Sequence, residues 1–369
     1  MIADNSLTKS TSAALSLIRW PLGVCIVMVH WFAFSSIATA GLVGDRAVYG
    51  TYMALCSFVE AFIADCSVGM FFFISGYLFF CGGGSATATY KSKLRRRVRT
   101  LLVPYLLWNL LMLVAAFIWE SPLFYGVFPS SASTVSSMTA ATFFRGFFGL
   151  GEYMIPHNGN LWFIRDLMIG ILAVPLLLPV LRRRPYVLLA VFALGYIWFS
   201  YRTDVFLSGL FAVMFFFNWG ASMSLRHIDL SVSFRPLFRL SLVLYAVCGT
   251  ILLFVQHRWP GVASLVKTVE MVAAIVLVVN LAVSLVERYS VSPVRFLTAA
   301  TFFMFAFHPL IYGRLQWYLA LKFTPETDME LCAVYIAGFM ILLAVIHIVF
   351  YLLRRFTPRF LSVLIGKRL

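Results

Sequence analysis

Two ionisable residues, Arg19 and His30, stand inside the first long apolar segment, Leu17 to Ala38. Ionisable groups are expensive in such a segment and are retained where they meet a partner, water or a ligand. Eleven positions at about 100° per residue make roughly three full turns, so both side chains fall on one helix face about 16 Å apart along the axis. A guanidinium holds anions and an imidazole exchanges protons near neutral pH. The pair thus outlines a polar path entering the membrane from one side. A second reading stays open: Arg19 snorkels to lipid headgroups, and His30 is a hydrogen-bonded buried histidine.

The elements that must hold this pair follow from composition. Hydrophobic residues make up 62% of the 369-residue chain and charged residues only 12%, against about a quarter in soluble domains. Apolar stretches long enough for a hydrocarbon core of about 30 Å run at 17–38, 60–80, 101–119, 161–181, 186–200, 205–224, 238–255, 265–286, 296–313 and 331–353. The expectation is an all-α integral membrane protein of about ten transmembrane helices. Basic residues collect at 91–99, at 182–184, across 226–239 and 288–295, and after Arg354. Placing these loops inside by the positive-inside rule makes both termini cytoplasmic. The net charge of +15 then reads as topology and attraction to anionic membrane lipids, and a nucleic-acid partner is not expected.

The small-residue triplet Ala38-Thr39-Ala40 imitates a signal-peptide cleavage site, but the apolar stretch before it is too long and contains His30. Six cysteines show neither paired spacing nor a CxxC motif, so neither a disulfide framework nor a metal site is expected. No Walker-type loop is present, and no permanently bound cofactor is expected. Three parts result: a short cytoplasmic segment 1–16, a membrane domain 17–353, and a basic tail 354–369 read as an interfacial amphipathic segment. The stretch 120–160, with Phe143-Phe144-Arg145-Gly146, Tyr153 and His157-Asn158-Gly159-Asn160, reads as an outer lid or acceptor surface.

Several motifs line up. Gly69-Met70-Phe71-Phe72-Phe73-Ile74-Ser75-Gly76-Tyr77-Leu78 sets a bulky block beside a small notch that lets a helix or ligand approach. Arg96-x-x-Arg99 follows on the next inner loop, then Leu102-Val103-Pro104-Tyr105-Leu106-Leu107-Trp108. Asn160-Leu161-Trp162-Phe163-Ile164 opens the fourth span, and Phe305-Ala306-Phe307-His308-Pro309 lies in the ninth. Together with Arg19 and His30, these resemble the acyltransferase-3 family, membrane-bound O-acetyltransferases of bacterial cell surfaces. The likeness covers about 15–355 and is strongest in the first 110 residues. No SGNH-type esterase segment follows the last helix, so the resemblance is to a stand-alone membrane domain.

The resemblance implies transfer of an acyl group, usually acetyl, from cytoplasmic acyl-CoA to a hydroxyl of a surface glycan or lipid-linked sugar precursor. The location implied is the bacterial inner membrane, with accessory envelope proteins as further partners. His30 is the candidate general base or acyl carrier, since histidine is the side chain whose unperturbed pKa suits that task. Arg96 and Arg99, with Arg19, are the candidates to hold the phosphates of acyl-CoA. Other residues compete for site-lining roles beside plain structural ones: Glu60 and Asp65 at the start of the second span, Ser75 in its notch, Trp162 as a stacking platform, and His308. Arg165 and Asp166 are adjacent, hence not expected to face each other, and are read as meeting groups on neighbouring helices. A transporter or flippase of a lipid-linked saccharide is the rival reading, since it too needs many spans, buried charges and a basic rim.

Overall fold

The computed structural model describes residues 8–32, 50–81, 86–121, 135–150 and 154–367. Every regular element among them is helical. Eight helices are long and apolar enough to cross a membrane: Lys9–Phe32, Gly50–Phe80, Tyr90–Trp119, Gly159–Arg183, Val205–Leu225, Leu230–Val255, Pro260–Tyr289 and Asp328–Phe356. A ninth crossing is broken, Arg295–Leu310 meeting Tyr312–Leu319 at 56°. The shorter apolar helix Pro185–Tyr201 stands where a span is expected at 186–200. Each of the ten apolar stretches therefore coincides with a helix, and the chain is an all-α, multi-pass integral membrane protein.

The first crossing starts eight residues before the expected Leu17. Its polar opening, KSTSAALSL, lacks an apolar signal, yet the Thr8 hydroxyl caps it by accepting from Thr11 N at 3.3 Å. A turn at Ile18 then separates Lys9–Leu17 from Arg19–Phe32.

The chain divides into two compact units. The first comprises Met1–Leu22, Ala61–Arg99 and Phe163–Thr298. Its centre is the pairing of Ala64–Phe80 with Val205–Leu225, and the FFFISG motif explains how closely they approach. Lipid tails are as apolar as the side chains, so helix association in a membrane depends on tight packing. A Cβ added at Gly76 would lie 1.9 Å from the Phe217 carbonyl oxygen, and one at Gly220 would lie 2.1 Å from that of Phe73. Each glycine thus seats the backbone of the other helix. Phe72 stacks on Phe163 with ring centroids 4.3 Å apart, and Phe73 packs on Trp219 at 4.7 Å. The anticipated notch accommodates a helix.

At one edge of this unit Asp229 caps the short helix Leu230–Ser233, accepting from Ser231 N and from the hydroxyls of Ser231 and Thr11 at 2.8–2.9 Å. Burial raises the Asp229 carboxyl, but the hydrogen bonds from Thr11, Ser231 and Thr8 together outweigh it and hold its pKa below the ordinary carboxylate value. Glu287 accepts from Ser10 and pairs with Arg235, both at 2.7 Å. These contacts pin the N-terminal helix to its own unit.

The second unit comprises Gly23–Glu60, Thr100–Trp162 and Ala299–Leu369. Polar ties recur through it. Trp31 Nε1 donates to Tyr335 O at 2.8 Å, and Asp328 accepts from the backbone amides of Thr51 and Tyr52. Helix Ala140–Phe148, from the anticipated lid, is held by the Tyr105 hydroxyl at Phe147 O and by His157 Nε2 at Phe143 O, while Phe144 and Phe148 stay exposed. Tyr153 lies outside the described residues.

The basic tail packs one face onto the protein. Residues Pro358–Leu364 form a helix whose Leu361, Leu364 and Ile365 are fully buried, and Trp108 Nε1 donates to Leu364 O at 3.0 Å. A buried indole N–H needs an acceptor, and a helix end supplies free carbonyls. One side of the tail thus packs against the Val103–Trp119 helix, while Phe360 and Val363 stay exposed.

Candidate active site

The broken ninth crossing creates the site. Pro309 has no amide hydrogen and its ring crowds the carbonyl four residues earlier, so the helix Arg295–Phe307 cannot continue through it. A single tight turn, His308–Leu310, redirects the chain into Tyr312–Phe323. This bend delivers His308 and Tyr312 to the end of helix Arg19–Phe32, where His30 is third from last. Ring centroids lie 5.3 Å apart for His30 and His308, 6.3 Å for His30 and Tyr312, and 6.0 Å for His308 and Tyr312.

The two imidazoles differ in freedom. His308 is fully buried, its Nδ1 2.9 Å from Met304 O and its Nε2 2.6 Å from Asn160 Nδ2. A carbonyl oxygen only accepts, so Nδ1 carries the proton and Nε2 accepts from the Asn160 amide. His308 is thereby fixed in one neutral tautomer and one orientation. His30 is half-buried, and among the described residues no hydrogen bond occupies its ring nitrogens. One imidazole is locked and the other is left able to exchange a proton.

A lattice of amides supports the locked ring. Asn158 N donates to Asn109 Oδ1 at 3.0 Å, and Asn158 Nδ2 donates to Ala306 O at 2.9 Å. Asn109 in turn donates to Tyr105 O, and Gln316 Nε2 donates to Trp31 O. The carbonyl at Trp31 is one of those a helix end leaves open, so Gln316 fixes the backbone beside His30. Sequence reasoning did not single out Asn109, Asn158, Asn160, Tyr312 or Gln316 for the site. The rule that exposed Arg19 and His30, polar residues within apolar runs, would have flagged Asn109.

The anticipated anion-binding arginines lie in the first unit and are described separately. Arg19 is half-buried, whereas Arg96 and Arg99 are exposed. Arg97, not predicted, is the half-buried member of its cluster and lies within electrostatic reach of both Arg19 and Arg96. The reason is local: Val98–Leu102 forms a π-turn directly after the helix Ala86–Arg97. Its wider winding rotates Arg99 out of the register that an uninterrupted α-helix would give Arg96-x-x-Arg99.

Arg165 and Asp166 overturn the expectation that adjacent residues do not pair. Arg165 Nε lies 2.7 Å from Asp166 Oδ1, both side chains being buried in the first unit, and the guanidinium stands 4.8 Å from the Phe206 ring centroid. Their Cβ atoms diverge, but an arginine stem is long enough to curl back and bring Nε to its neighbour. Ser75 and Glu60 are half-buried, as is Trp162, which opens the helix Trp162–Arg183. The side chain of Asp65 lies outside the described residues.

The comparisons with known proteins agree with this geometry. A family model described as an acyltransferase domain, acyltransferase-3, matches residues 12–355. Over 160 residues the chain is 30% identical to the succinoglycan biosynthesis protein ExoH of Rhizobium meliloti (strain 1021), covering 43% of this chain and 40% of that protein. The chain thus spans less than half the length of this curated relative. No solved structure matches. Since the matched region runs from the helix before Arg19, through both histidines and the broken crossing, to the end of the last long span, the chain belongs to the acyltransferase-3 family.

Proposed function

We propose that this protein transfers an acyl group, acetyl being the simplest, from cytoplasmic acyl-CoA to a hydroxyl of a cell-surface glycan or its lipid-linked precursor, at the inner membrane of a bacterium. The observation that carries the reading is the placement of His30, whose ring nitrogens no described residue hydrogen-bonds, against a tautomer-locked His308 within an acyltransferase domain. The relative's role in succinoglycan biosynthesis favours a glycan acceptor.

In this reading His30 accepts the proton of the acceptor hydroxyl as its oxygen attacks the thioester carbon. The new C–O bond forms, the C–S bond breaks, and the departing CoA thiolate recovers the proton. His308, held by Asn160 and Met304 O, positions the His30 ring and does not itself exchange protons. Arg19, with Arg97 and Arg96 beside it, holds the phosphates of acyl-CoA by charge-assisted hydrogen bonds; Arg99 is the outer member of that group.

The test is label transfer from radioactive acetyl-CoA to purified envelope glycan by the protein in lipid nanodiscs. Wild type labels the glycan and His30→Ala does not, at equal expression and melting temperature. Equal labelling by both would remove His30 from the chemistry. Movement of a fluorescent lipid-linked saccharide between leaflets, with no glycan labelling, would favour a flippase instead.

A further inference from the structure

Two residues beyond Tyr312, a second charged group stands next to the histidine site. The Arg314 guanidinium is half-buried and lies over the Trp119 ring, 5.8 Å from its centroid. Glu120 is near enough to attract it, yet both Glu120 carboxylate oxygens accept from Val135 N, at 2.9 and 3.0 Å. Among the described residues no carboxylate comes within ion-pair distance of Arg314. A methyl added at the neighbouring Gly313 would meet no atom of the described residues within 4 Å. The first turn of helix Tyr312–Phe323 adds its own positive potential there.

A half-buried guanidinium over an indole, with no hydrogen-bond acceptor on its donors among the described residues, fits an anion bidentately. The adjoining tryptophan offers an apolar face of the kind that packs on a sugar ring. We propose that Arg314 and Trp119 form an acceptor subsite that selects a glycan bearing negative charge close to the acylated hydroxyl, as a sugar carboxylate or as the diphosphate of a lipid-linked sugar. The glycan nature of the acceptor rests on the function proposed above; the preference for an anion rests on Arg314 alone. Arg314 lies within electrostatic reach of Tyr312, whose ring centroid stands 6.3 Å from that of His30.

The experiment measures binding, so that it does not depend on turnover. Protein in nanodiscs of phosphatidylcholine only is titrated with three probes: a glucuronate-containing disaccharide, its carboxyl-reduced neutral form, and a short-chain prenyl-diphosphate-linked glucose. Wild type is expected to bind at least one anionic probe about tenfold or more tighter than the neutral one. Arg314→Gln abolishes that preference and leaves neutral binding unchanged, while Arg314→Lys retains part of it. Preference for the glucuronate probe identifies a sugar carboxylate, and preference for the prenyl probe identifies the diphosphate. Equal wild-type affinity for all three overturns the proposal, as does an Arg314→Gln protein that keeps the preference. An effect of Arg314→Gln confined to melting temperature in phosphatidylglycerol discs also overturns it, making Arg314 a lipid anchor. Should Arg314→Gln not fold, Arg314→Lys decides: a reduced anion preference supports the proposal, and an undiminished one overturns it. Anion binding that depends on Arg314 without any glycan labelling would remove the acyl-transfer reading and leave this subsite standing.

Discussion

The tightest helix pair of the first unit and the broken crossing of the second handle buried backbone in opposite ways. In the first, Gly76 and Gly220 bring two helices together so closely that main chain touches main chain, and phenylalanines fill what remains. In the second, asparagine and glutamine amides reach carbonyls at helix ends and at the break before Pro309. Close glycine packing tolerates almost no change in shape, while amide bridging holds irregular backbone and leaves room beside it. A site that must admit substrate belongs with the second kind. Irregular chain at membrane depth is tolerated only where protein satisfies it or water reaches it, and here the amides do so.

Substitutions can break or sharpen this contrast. The largest expected effect is on chemistry: His30→Ala should lower glycan acylation by about a hundredfold to ten-thousandfold, with melting temperature unchanged. A matching fall in stability would show that His30 is a packing residue. Gly76→Val should do the reverse, reducing folded yield and costing about 3 kcal/mol or more in denaturant unfolding, because the added carbons collide with the Phe217 carbonyl. Near-normal stability would mean that the helix pair has slack. Asn160→Ala should slow acylation about tenfold, since His308 loses the donor at Nε2, whereas Asn160→Gln should restore part of the rate. An unchanged rate would detach the lattice from the site. Trp108→Phe removes the hydrogen bond to Leu364 O and should cost about 1 kcal/mol, read as easier proteolysis of the tail.

The smallest effect is a pH dependence in the first unit. Asp229 has a lowered pKa when folded, so its contribution is present above the unfolded carboxylate value of about 4 and is lost as pH falls through the folded one. Melting temperature should therefore decline more steeply below pH ~4 in wild type than in Asp229→Asn. Parallel curves would show that the cap carries no charge-dependent stability.

What the sequence revealed follows the physics of each residue. Helices and their number are legible because apolar length is a strong, one-dimensional signal, and Arg19 and His30 stand out against it. The partnership of His30 with His308 is not readable from spacing, since 278 positions separate them in the chain; only the bend at Pro309 brings them together. Arg97 was hidden because a π-turn has no sequence signature and shifts which arginine faces inward. The Arg165–Asp166 pair was missed because a rule about Cβ directions does not describe a long, flexible side chain. Asn160 was visible as part of a motif, but an asparagine announces neither what it donates to nor which ring it fixes.

The pieces of the two units are interleaved along the chain, and this sets an order in time. Synthesis proceeds from the N-terminus at about 5–20 residues per second. The first unit has all its segments once Thr298 is made, whereas the second still awaits Ala299–Leu369, including His308, Asn160's partner, and the tail that takes the Trp108 hydrogen bond. Until Ala299–Leu369 is made, the asparagines at 109, 158 and 160 have no broken helix to hold. The histidine centre therefore forms late, only after that segment turns back at Pro309.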